Sequence, residues 1–538
     1  MGFTPLTNLA ESVEKHSSRV AFKIPLVHPE TSQVREWNDV TYSRFARDVE
    51  SFARYWQSVL CRDGVVPRSV VTLCLQGYSY IDVLHIYGIM KAGYVPQPLT
   101  IIPTATFILS LLQKSGSRAV IYEPPYEAKA LELSTNLDIR SYRALDSVPD
   151  LSSGTTLLDL PRNQAEDIAI YFHTSGSTSG MPKIIPGTFR WLDGIVQRAV
   201  NMPSRSKVLD KVDVCSWMGS ICHAAQFFGI IRLISTGSVL VQPIDASNNT
   251  SDLIHLIPEA GITQITTFPA AFVRLLKQAR VNDKFQDDLA RLDAISYGGG
   301  SIPPEDEQWA CANGINVVNV YASTECGGPI LISGGSRFSS HNAPHPLNGV
   351  ECRFELIGAG PNVDSLDAGI KELVILPESL GCPHPSLRSP DGLFHTGDLF
   401  REIEPGYYIN CGRDDDWIKM ENAARCDTRT IEEEVRRSCK DFISECVVVG
   451  RYRPRPALFV EPIQGGNLDE ALLRKMMFDR ISVLQKHRYE TERITSPDMV
   501  VLVPMGSLSP RTETKGNVRR NIVEERYQTM LDRLYSKS

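Results

Sequence analysis

A loop of small, hydroxyl-bearing residues follows an apolar run in the first half of the chain. Ile168–Phe172 reads as a buried strand, and residues 174–183 continue as Thr-Ser-Gly-Ser-Thr-Ser-Gly-Met-Pro-Lys. Small side chains let backbone N–H groups approach anionic oxygens, hydroxyl groups donate hydrogen bonds, and Lys183 adds positive charge. The loop is not a Walker loop, because G-x-x-x-x-G-K-[ST] is absent. Its composition indicates either a phosphate-binding loop or a flexible surface linker.

Six further segments, taken in their order along the chain, favour the phosphate-binding interpretation. They are Lys91–Pro96, Asn319–Glu325, Glu372–Ile375, His395–Asp398, Gly412–Lys419 and Lys515–Arg519. With the 174–183 loop they resemble the ordered motifs of the adenylate-forming superfamily, which includes acyl-CoA synthetases, luciferases and adenylation domains of non-ribosomal peptide synthetases. The resemblance covers nearly the whole chain. Three positions depart from the family pattern, namely Ser179, Ala322 and Lys371.

The resemblance implies ATP-dependent activation of a carboxylic acid. A carboxylate oxygen attacks the α-phosphorus and pyrophosphate leaves, so the site must align two anions and supply positive charge. Lys515 is expected to bridge the carboxylate and the α-phosphate, although composition alone would favour a solvated tail lysine. Glu325 is expected to hold Mg²⁺ on the phosphates, with Thr324 beside it at the α-phosphate. A Thr-Glu pair after a strand is otherwise typical of a helix cap.

The same resemblance assigns the nucleotide contacts. Asp398 would accept hydrogen bonds from the ribose hydroxyls, Arg413 would support the same sugar, and Tyr321 offers a flat face for adenine. The remaining predicted ATP and AMP contacts are Thr174, Ser175, Gly176, Ser177, Thr178, Gly180, Lys183, Asn319 and Ser323.

The acid pocket is expected between three segments. It would be lined by His223, Phe268, Pro269, Tyr297, Gly298, Gly299 and Gly300, with the glycines admitting a flat ligand. A core histidine with a satisfied hydrogen bond is the alternative for His223. Amino-acid-activating relatives carry an Asp just upstream of this helix, whereas Cys215–His223 contains no acidic residue. We therefore expect an aryl or alkyl acid without an α-amine, and an aryl acid in first place.

The elements that position these residues predict an α/β fold. Strands alternate with helical patterns through the first four hundred residues, as in parallel sheets covered by helices. We expect a large N-terminal domain over 1–411, a hinge at 412–418 containing Asp415, and a small mobile α+β lobe over 419–538. Predicted helices include Tyr80–Lys91, His223–Thr236 and one opened by Pro269.

The residues after the hinge suggest a branch of the family. Lys419 is followed by a long segment without glycine, and Gly412–Val449 resembles fungal reductases related to peptide synthetases. Those proteins join an adenylation domain to a carrier domain and an NADPH-dependent reductase. The chain would then pass its acyl group to a carrier phosphopantetheine thiol and would make no aldehyde by itself. A free-standing acyl-CoA synthetase and a non-catalytic nucleotide-binding scaffold are the alternatives.

Charge, cysteine content and hydropathy argue against several other classes of protein. The formal net charge is −7, so nothing indicates a nucleic-acid partner. The twelve cysteines form no C-x-x-C pair, and H-E-x-x-H is absent, so we expect reduced thiols in the cytoplasm rather than disulfides or zinc. No apolar stretch is long enough to span a bilayer, and we expect a monomer. Residues 358–361, Gly-Ala-Gly-Pro, lack the third glycine of a dinucleotide fingerprint and predict a turn.

Overall fold

The computed structural model describes most of the chain. The described residues are 4–28, 30, 33–99, 105–150, 157–158, 163–174, 183–202, 211–245, 252–334, 342–357, 369–414, 417–421, 425–463, 469–485, 488, 492–508 and 520–536. Residues 175–182, Asp415 and Lys515 lie outside these ranges, as does the 358–361 turn. Within them, every helix is too short or too polar to cross a membrane.

The N-terminal region contains a parallel sheet covered by helices. Its elements are α1 (Pro5–His16), β1 (Val20–Val27), β2 (Val34–Thr41), α2 (Tyr42–Arg62), β3 (Val70–Cys74), α3 (Tyr80–Lys91), β4 (Val95–Leu99), α4 (Ala105–Ser115), β5 (Ala119–Tyr122), α5 (Glu127–Leu137) and β6 (Arg140–Arg143). Strands β3 to β6 form this sheet in the order β4-β3-β5-β6. Every residue of β3 and β5 is buried, as expected for strands covered on both faces.

A nine-stranded sheet follows. The next elements are β7 (Ile168–Thr174), β8 (Lys183–Thr188), α6 (Phe189–Asn201), β9 (Val214–Ser216), α7 (Ala224–Thr236), β10 (Val239–Val241), α8 (Leu253–Ala260), β11 (Gln264–Thr267), α9 (Pro269–Ala279), α10 (Asp283–Arg291), β12 (Ala294–Gly298), α11 (Pro304–Ala312), β13 (Val317–Ser323), β14 (Gly328–Ile332) and β15 (His345–Pro346). The sheet order is β15-β14-β13-β12-β11-β9-β10-β1-β2. Its central strands, from β13 to β1, run parallel, and antiparallel strands close both edges.

An antiparallel sheet and a C-terminal unit complete the fold. The sheet contains β16 (Cys352–Leu356), β17 (Ile370–Ile375), β18 (Phe394–Glu404) and β19 (Tyr407–Arg413). The C-terminal unit contains β20 (Trp417–Lys419), β21 (Arg425–Asp427), α12 (Thr428–Ser438), β22 (Ile443–Val449), β23 (Ala457–Pro462), α13 (Glu470–Leu484), β24 (Val500–Leu502), α14 (Arg520–Arg526) and α15 (Gln528–Tyr535). This unit has a hydrophobic core of its own. The predicted α/β class with a smaller α+β unit is confirmed.

Local predictions agree with the structure except at element ends. Helix α3 has the predicted limits, because Ser79 and Asp82 form a capping box and Gly93 takes a left-handed φ of 86° after the helix. His223 was expected inside α7, but its ψ of 139° makes it the N-cap residue.

Candidate active site

Several predicted site residues follow parallel strands of the nine-stranded sheet. His223 follows β9, Phe268 follows β11, Gly299 follows β12, and Thr324 and Glu325 follow β13. Since these strands are parallel, their carboxyl ends lie at the same edge. Ligands of open α/β sheets bind in the crevice outside that edge.

Lys183 and Glu325 form the centre of the candidate nucleotide site. Strands β7 and β8 pair antiparallel, which places Thr174 opposite Lys183. The Lys183 Nζ lies 3.6 Å from Glu325 Oε1 and 5.8 Å from the centre of the Phe394 ring. Ser323 Oγ donates a hydrogen bond of 2.8 Å to Glu325 Oε2. The predicted phosphate-binding lysine and the predicted metal-binding carboxylate are therefore neighbours.

Helix α6 holds the backbone beside Glu325. Trp191 Nε1 donates to the Glu325 carbonyl oxygen at 2.9 Å, and Arg198 donates to the carbonyl oxygens of Cys326 and, at 2.8 Å, Pro329. Gly327 has a φ of 72°, and a Cβ there would lie 2.3 Å from Ile195 Cδ1. The three helical side chains are spaced i, i+4, i+7, so one face of α6 fixes the loop that carries Glu325.

Arg198 is a fully buried cation, with 1% of its surface exposed. Burial lowers the pKa of its guanidinium to about 10. Sequence reasoning missed both Arg198 and Trp191, since neither belongs to a recognised motif. The apolar periodicity of α6 could only have indicated which helix face is buried.

Asp398 forms a second centre of the candidate nucleotide site. Tyr321 Oη donates to Asp398 Oδ2 at 2.6 Å, and Arg413 Nη1 lies 3.5 Å from Asp398 Oδ1. Burial, and then the carboxylate of Asp398, raises the pKa of the Tyr321 hydroxyl. The Tyr321 ring packs edge-on against Phe400, with centroids 5.0 Å apart. The structure thus brings together the three residues expected at the ribose and adenine.

The segment of β18 around Asp398 is held by hydrogen bonds that the sequence motifs did not reveal. Thr396 Oγ1 accepts from Asp398 N at 3.0 Å and donates to the Leu373 carbonyl at 2.7 Å. Glu372 accepts from Gly397 N at 2.9 Å, and its other oxygen lies 3.1 Å from His395 Nδ1. The hydrogen bond to Glu372 raises the pKa of His395 above its ordinary value, and Asp391 at 3.1 Å adds to that effect.

The predicted acid-pocket residues divide into two groups. Phe268 is 42% exposed, and its ring would lie 3.2 Å from a Cβ on Gly219 and 3.6 Å from one on Gly299. A Cβ on Gly300 would lie 3.4 Å from Pro269 Cγ. These missing side chains leave room for Phe268 at the edge of the cleft.

The second group, Tyr297 and Gly298, contributes less side-chain surface to the expected acid pocket. Tyr297 is 2% exposed and stacks on Phe272 with centroids 5.7 Å apart, so its side chain belongs to the core. A Cβ on Gly298 would lie 2.7 Å from the Val320 carbonyl oxygen, which explains the glycine by strand packing.

His223 is exposed, and its ring lies near that of His173. Its centroid is 6.4 Å from that of His173, a neighbour not predicted from sequence. Desolvation lowers the pKa of both rings, that of His173 to about 4, and His223 contributes to the shift at His173. His173 is therefore neutral at physiological pH.

The Glu325 carboxylate is a suitable ligand for Mg²⁺ that is bound together with the phosphates of a nucleotide. Among the described residues, no group of three or more His, Cys, Asp or Glu side chains could hold a metal ion. Mg²⁺ in nucleotide sites is usually held by one or two carboxylates and the substrate phosphates. A single carboxylate beside Lys183 fits that arrangement.

Family models and a curated relative match this chain over most of its length. The AMP-binding enzyme family matches residues 9–354, and the AMP-binding enzyme C-terminal domain matches residues 415–538. The AMP-binding domain-containing enzyme iboA of Amanita muscaria is 31% identical over 527 residues, covering 94% of this chain and 98% of that protein. The adenylate-forming reductase stbB of Stachybotrys bisbyi is 23% identical over 473 residues, covering 85% of this chain but 42% of that protein.

Solved structures share the fold over the full length. ATP-bound MatB from Rhodopseudomonas palustris has a TM-score of 0.72 at 18% identity and covers 99% of this chain and 100% of that chain. O-succinylbenzoate coenzyme A synthetase from Bacillus subtilis, in complex with AMP, has a TM-score of 0.73 at 15% identity, with 97% and 98% covered. On both family matches and a relative aligned over nearly its whole length, the chain belongs to the AMP-binding family of adenylate-forming enzymes.

Proposed function

We propose that the chain uses ATP to convert a carboxylic acid without an α-amine into acyl-AMP with release of pyrophosphate. An aryl acid is the preferred substrate in this proposal. The observation that carries this proposal is a pair of polar centres, one at Glu325 after β13 and one at Asp398, which bonds to Tyr321 of β13. Lys183 and Glu325, 3.6 Å apart, suit the triphosphate. Asp398, bonded to Tyr321 at 2.6 Å, suits the nucleoside.

The residues have distinct tasks in this reaction. Lys183 binds phosphate oxygens and offsets their charge, while Ser323 and the α6 contacts keep Glu325 oriented. Mg²⁺, when bound, would act as a Lewis acid and offset the negative charge of the leaving pyrophosphate. Asp398 accepts hydrogen bonds from the ribose while Tyr321 and Arg413 hold its carboxylate in place. Thr324 contacts the α-phosphate, and Lys515 bridges that phosphate and the acid.

The acceptor in the second half-reaction is a carrier phosphopantetheine thiol. The match to adenylate-forming reductases supports this, as does the resemblance of Gly412–Val449 to that class. The chain spans about two fifths of the length of those relatives, and we propose that it corresponds to the adenylation part of such a reductase. The nearly full-length match to iboA favours a second candidate, a stand-alone enzyme that passes its acyl group to a separate acceptor such as coenzyme A.

Acid-dependent ATP–pyrophosphate exchange tests the first half-reaction. Aryl, alkyl and amino acids are compared in the wild type, Glu325→Gln and Asp398→Asn, with Glu378→Gln as an exposed charge-matched control. We expect exchange with aryl acids, a loss of at least tenfold in both site variants, and wild-type exchange in the control. Strong exchange with amino acids and none with benzoate-type acids would overturn the substrate class.

The acceptor is tested by adding either a phosphopantetheinylated carrier protein or coenzyme A to the acyl-AMP reaction. Faster AMP release with the carrier supports the first candidate, and faster release with coenzyme A supports the second. We expect no aldehyde from this chain with ATP and NADPH alone. Aldehyde formation would contradict the proposal.

A further inference from the structure

Arg429 joins the C-terminal unit to the loop that follows β12. Its Nη2 donates a hydrogen bond of 3.0 Å to Ser301 Oγ, across 128 residues of sequence. Arg429 is the second residue of α12, whereas Ser301 follows the three glycines after Tyr297. The hydrogen bond therefore connects the unit after the predicted hinge with a loop that was expected to line the acid pocket.

The same side chain also lies beside the last strand before the C-terminal unit. A Cβ on Gly412 would lie 3.7 Å from Arg429 Cδ and 3.8 Å from Arg429 Nη1, which is ordinary van der Waals contact. Gly412 belongs to β19 and has a φ of 92°, a backbone conformation that favours glycine. Arg429 thus reaches from the start of the predicted hinge to the loop after β12.

The stability of α12 does not explain a basic residue at this position. The first turn of a helix carries partial positive charge, so a cationic side chain there is unfavourable. Asp427 caps the helix by accepting from Thr430 N at 3.0 Å, and Glu433 accepts from Arg429 Nε at 2.9 Å. Glu433 therefore orients the guanidinium, whose Nη2 donates to Ser301. This arrangement indicates a role for Arg429 in the contact between the two units.

The loop that accepts this hydrogen bond also packs against Phe268. A Cβ on Gly299 would lie 3.6 Å from the Phe268 ring, and Gly300 connects Gly299 to Ser301. Glycine residues make the loop conformationally permissive, so a contact at its end can select its path. The hydrogen bond to Arg429 therefore restrains the glycines beside Phe268.

We propose that Arg429 is a positioning residue that couples the acid pocket to the position of the C-terminal unit. While Arg429 bonds to Ser301, the loop after β12 keeps the path that holds the acid beside Phe268. When the C-terminal unit moves away, the loop relaxes and the affinity for the acid falls. The coupling is reciprocal, so a bound acid also favours the docked C-terminal unit. The inference rests on the proposed acyl-adenylate function and assigns a task to two residues that have none in the chemical step.

The KM values of the two substrates in pyrophosphate exchange test the coupling. Arg429→Met keeps most of the aliphatic stem but removes the donor, and Ser301→Ala removes the acceptor. Each variant should raise the KM for benzoate about threefold to fivefold. The KM for ATP should stay within 1.5-fold of the wild type, because the nucleotide residues lie outside the contact.

Three further variants separate the hydrogen bond from a general effect on folding. The double variant should be no worse than either single variant, since both remove the same hydrogen bond. Ser301→Thr retains the hydroxyl and should keep the wild-type KM for benzoate. Arg437→Met, an exposed change on α12, should also behave as the wild type. An unchanged KM for benzoate in Arg429→Met, equal increases for benzoate and ATP, or additive losses in the double variant would overturn the coupling.

Hydrogen exchange of the ligand-free chain tests the contact without a substrate. Ser301→Ala should speed amide exchange at least twofold in the first turn of α12, and Arg429→Met should do so in the loop after β12. Each effect is read in the segment that the substitution leaves intact. Unchanged exchange in both segments would overturn the contact. Absence of pyrophosphate exchange with every acid would instead refute the acyl-adenylate function, while hydrogen exchange would still decide the contact.

Discussion

Replacing Glu123 with glutamine should stabilise the protein at alkaline pH. Glu123 follows β5, and its Oε2 accepts a hydrogen bond from Gln76 N at 2.5 Å. The neighbouring Asp82 accepts from Gly77 N at 3.1 Å and from Ser79 N at 2.9 Å. Burial, and then the nearby Asp82 carboxylate, raises the pKa of Glu123 to about 7. The two carboxyl groups therefore share a proton near neutral pH.

The pKa shift fixes the sign and the size of the effect. Between pH 4.5 and about 7 the folded state keeps a proton that the unfolded state releases, so stability falls as pH rises through this window. The full shift corresponds to about 3 kcal/mol. Glu123 is partly accessible, so screening reduces the expected effect to about 1–2 kcal/mol. Glutamine resembles the protonated acid, because its amide can accept from Gln76 and donate to Asp82.

The other titratable groups around the pair do not change this expectation. The thiols of Cys74 and Cys222 both have pKa values raised by burial, that of Cys74 to about 12, and remain neutral through the window.

Denaturant unfolding between pH 5 and pH 8 measures the prediction. Glu123→Gln should match the wild type near pH 5 and exceed its unfolding free energy by about 1–2 kcal/mol at pH 8. Glu132→Gln, an exposed change on α5, should follow the wild-type curve. A variant that is less stable than the wild type at pH 8, or that keeps the wild-type pH slope, would refute the shared proton.

Three substitutions test the nucleotide site. Trp191→Phe removes the donor to the Glu325 carbonyl, so half-maximal exchange should need severalfold more Mg²⁺ while AMP binding in EDTA stays unchanged. Tyr321→Phe removes the hydrogen bond to Asp398 and should weaken AMP binding about tenfold in calorimetry, as hydrogen bonds to charged groups contribute about 1.5–3 kcal/mol. His395 has a raised pKa, so its stabilisation is complete below pH 6.5 and is lost as pH rises through the folded-state value; His395→Gln should flatten that part of the thermal-unfolding profile. Unchanged Mg²⁺ dependence in Trp191→Phe would contradict the first expectation, and unchanged AMP affinity in Tyr321→Phe the second. An unchanged pH profile in His395→Gln would contradict the third.

The sequence predicted elements best where local chemistry sets their ends. Helix α3 begins at a capping box and ends before a left-handed glycine, and α9 has Pro269 at its first position. His223 offered no such signal, so its place at the N-cap of α7 was not predicted. The backbone at that position is set by packing at the sheet edge rather than by residue type.

The candidate site was predictable only in part, for a related reason. Lys183, Glu325, Asp398 and Tyr321 are polar groups in short motifs, and the structure brings them together in pairs. Arg198 belongs to a residue type that is almost always exposed, yet it is buried because two backbone carbonyl oxygens on a distant loop accept its hydrogen bonds. That role depends on tertiary structure and leaves no local pattern.

The two halves of the site also differ in the kind of information that specifies them. ATP presents fixed phosphates and a ribose, and only a few residue types bind these groups, so their motifs persist along a sequence. The acid instead meets a volume, whose shape comes from missing side chains at Gly219 and Gly299 around Phe268. Shape of this kind arises from the packing of the loops that follow β9, β11 and β12. The nucleotide can therefore be inferred from sequence, whereas the acid has to be inferred from the folded cavity.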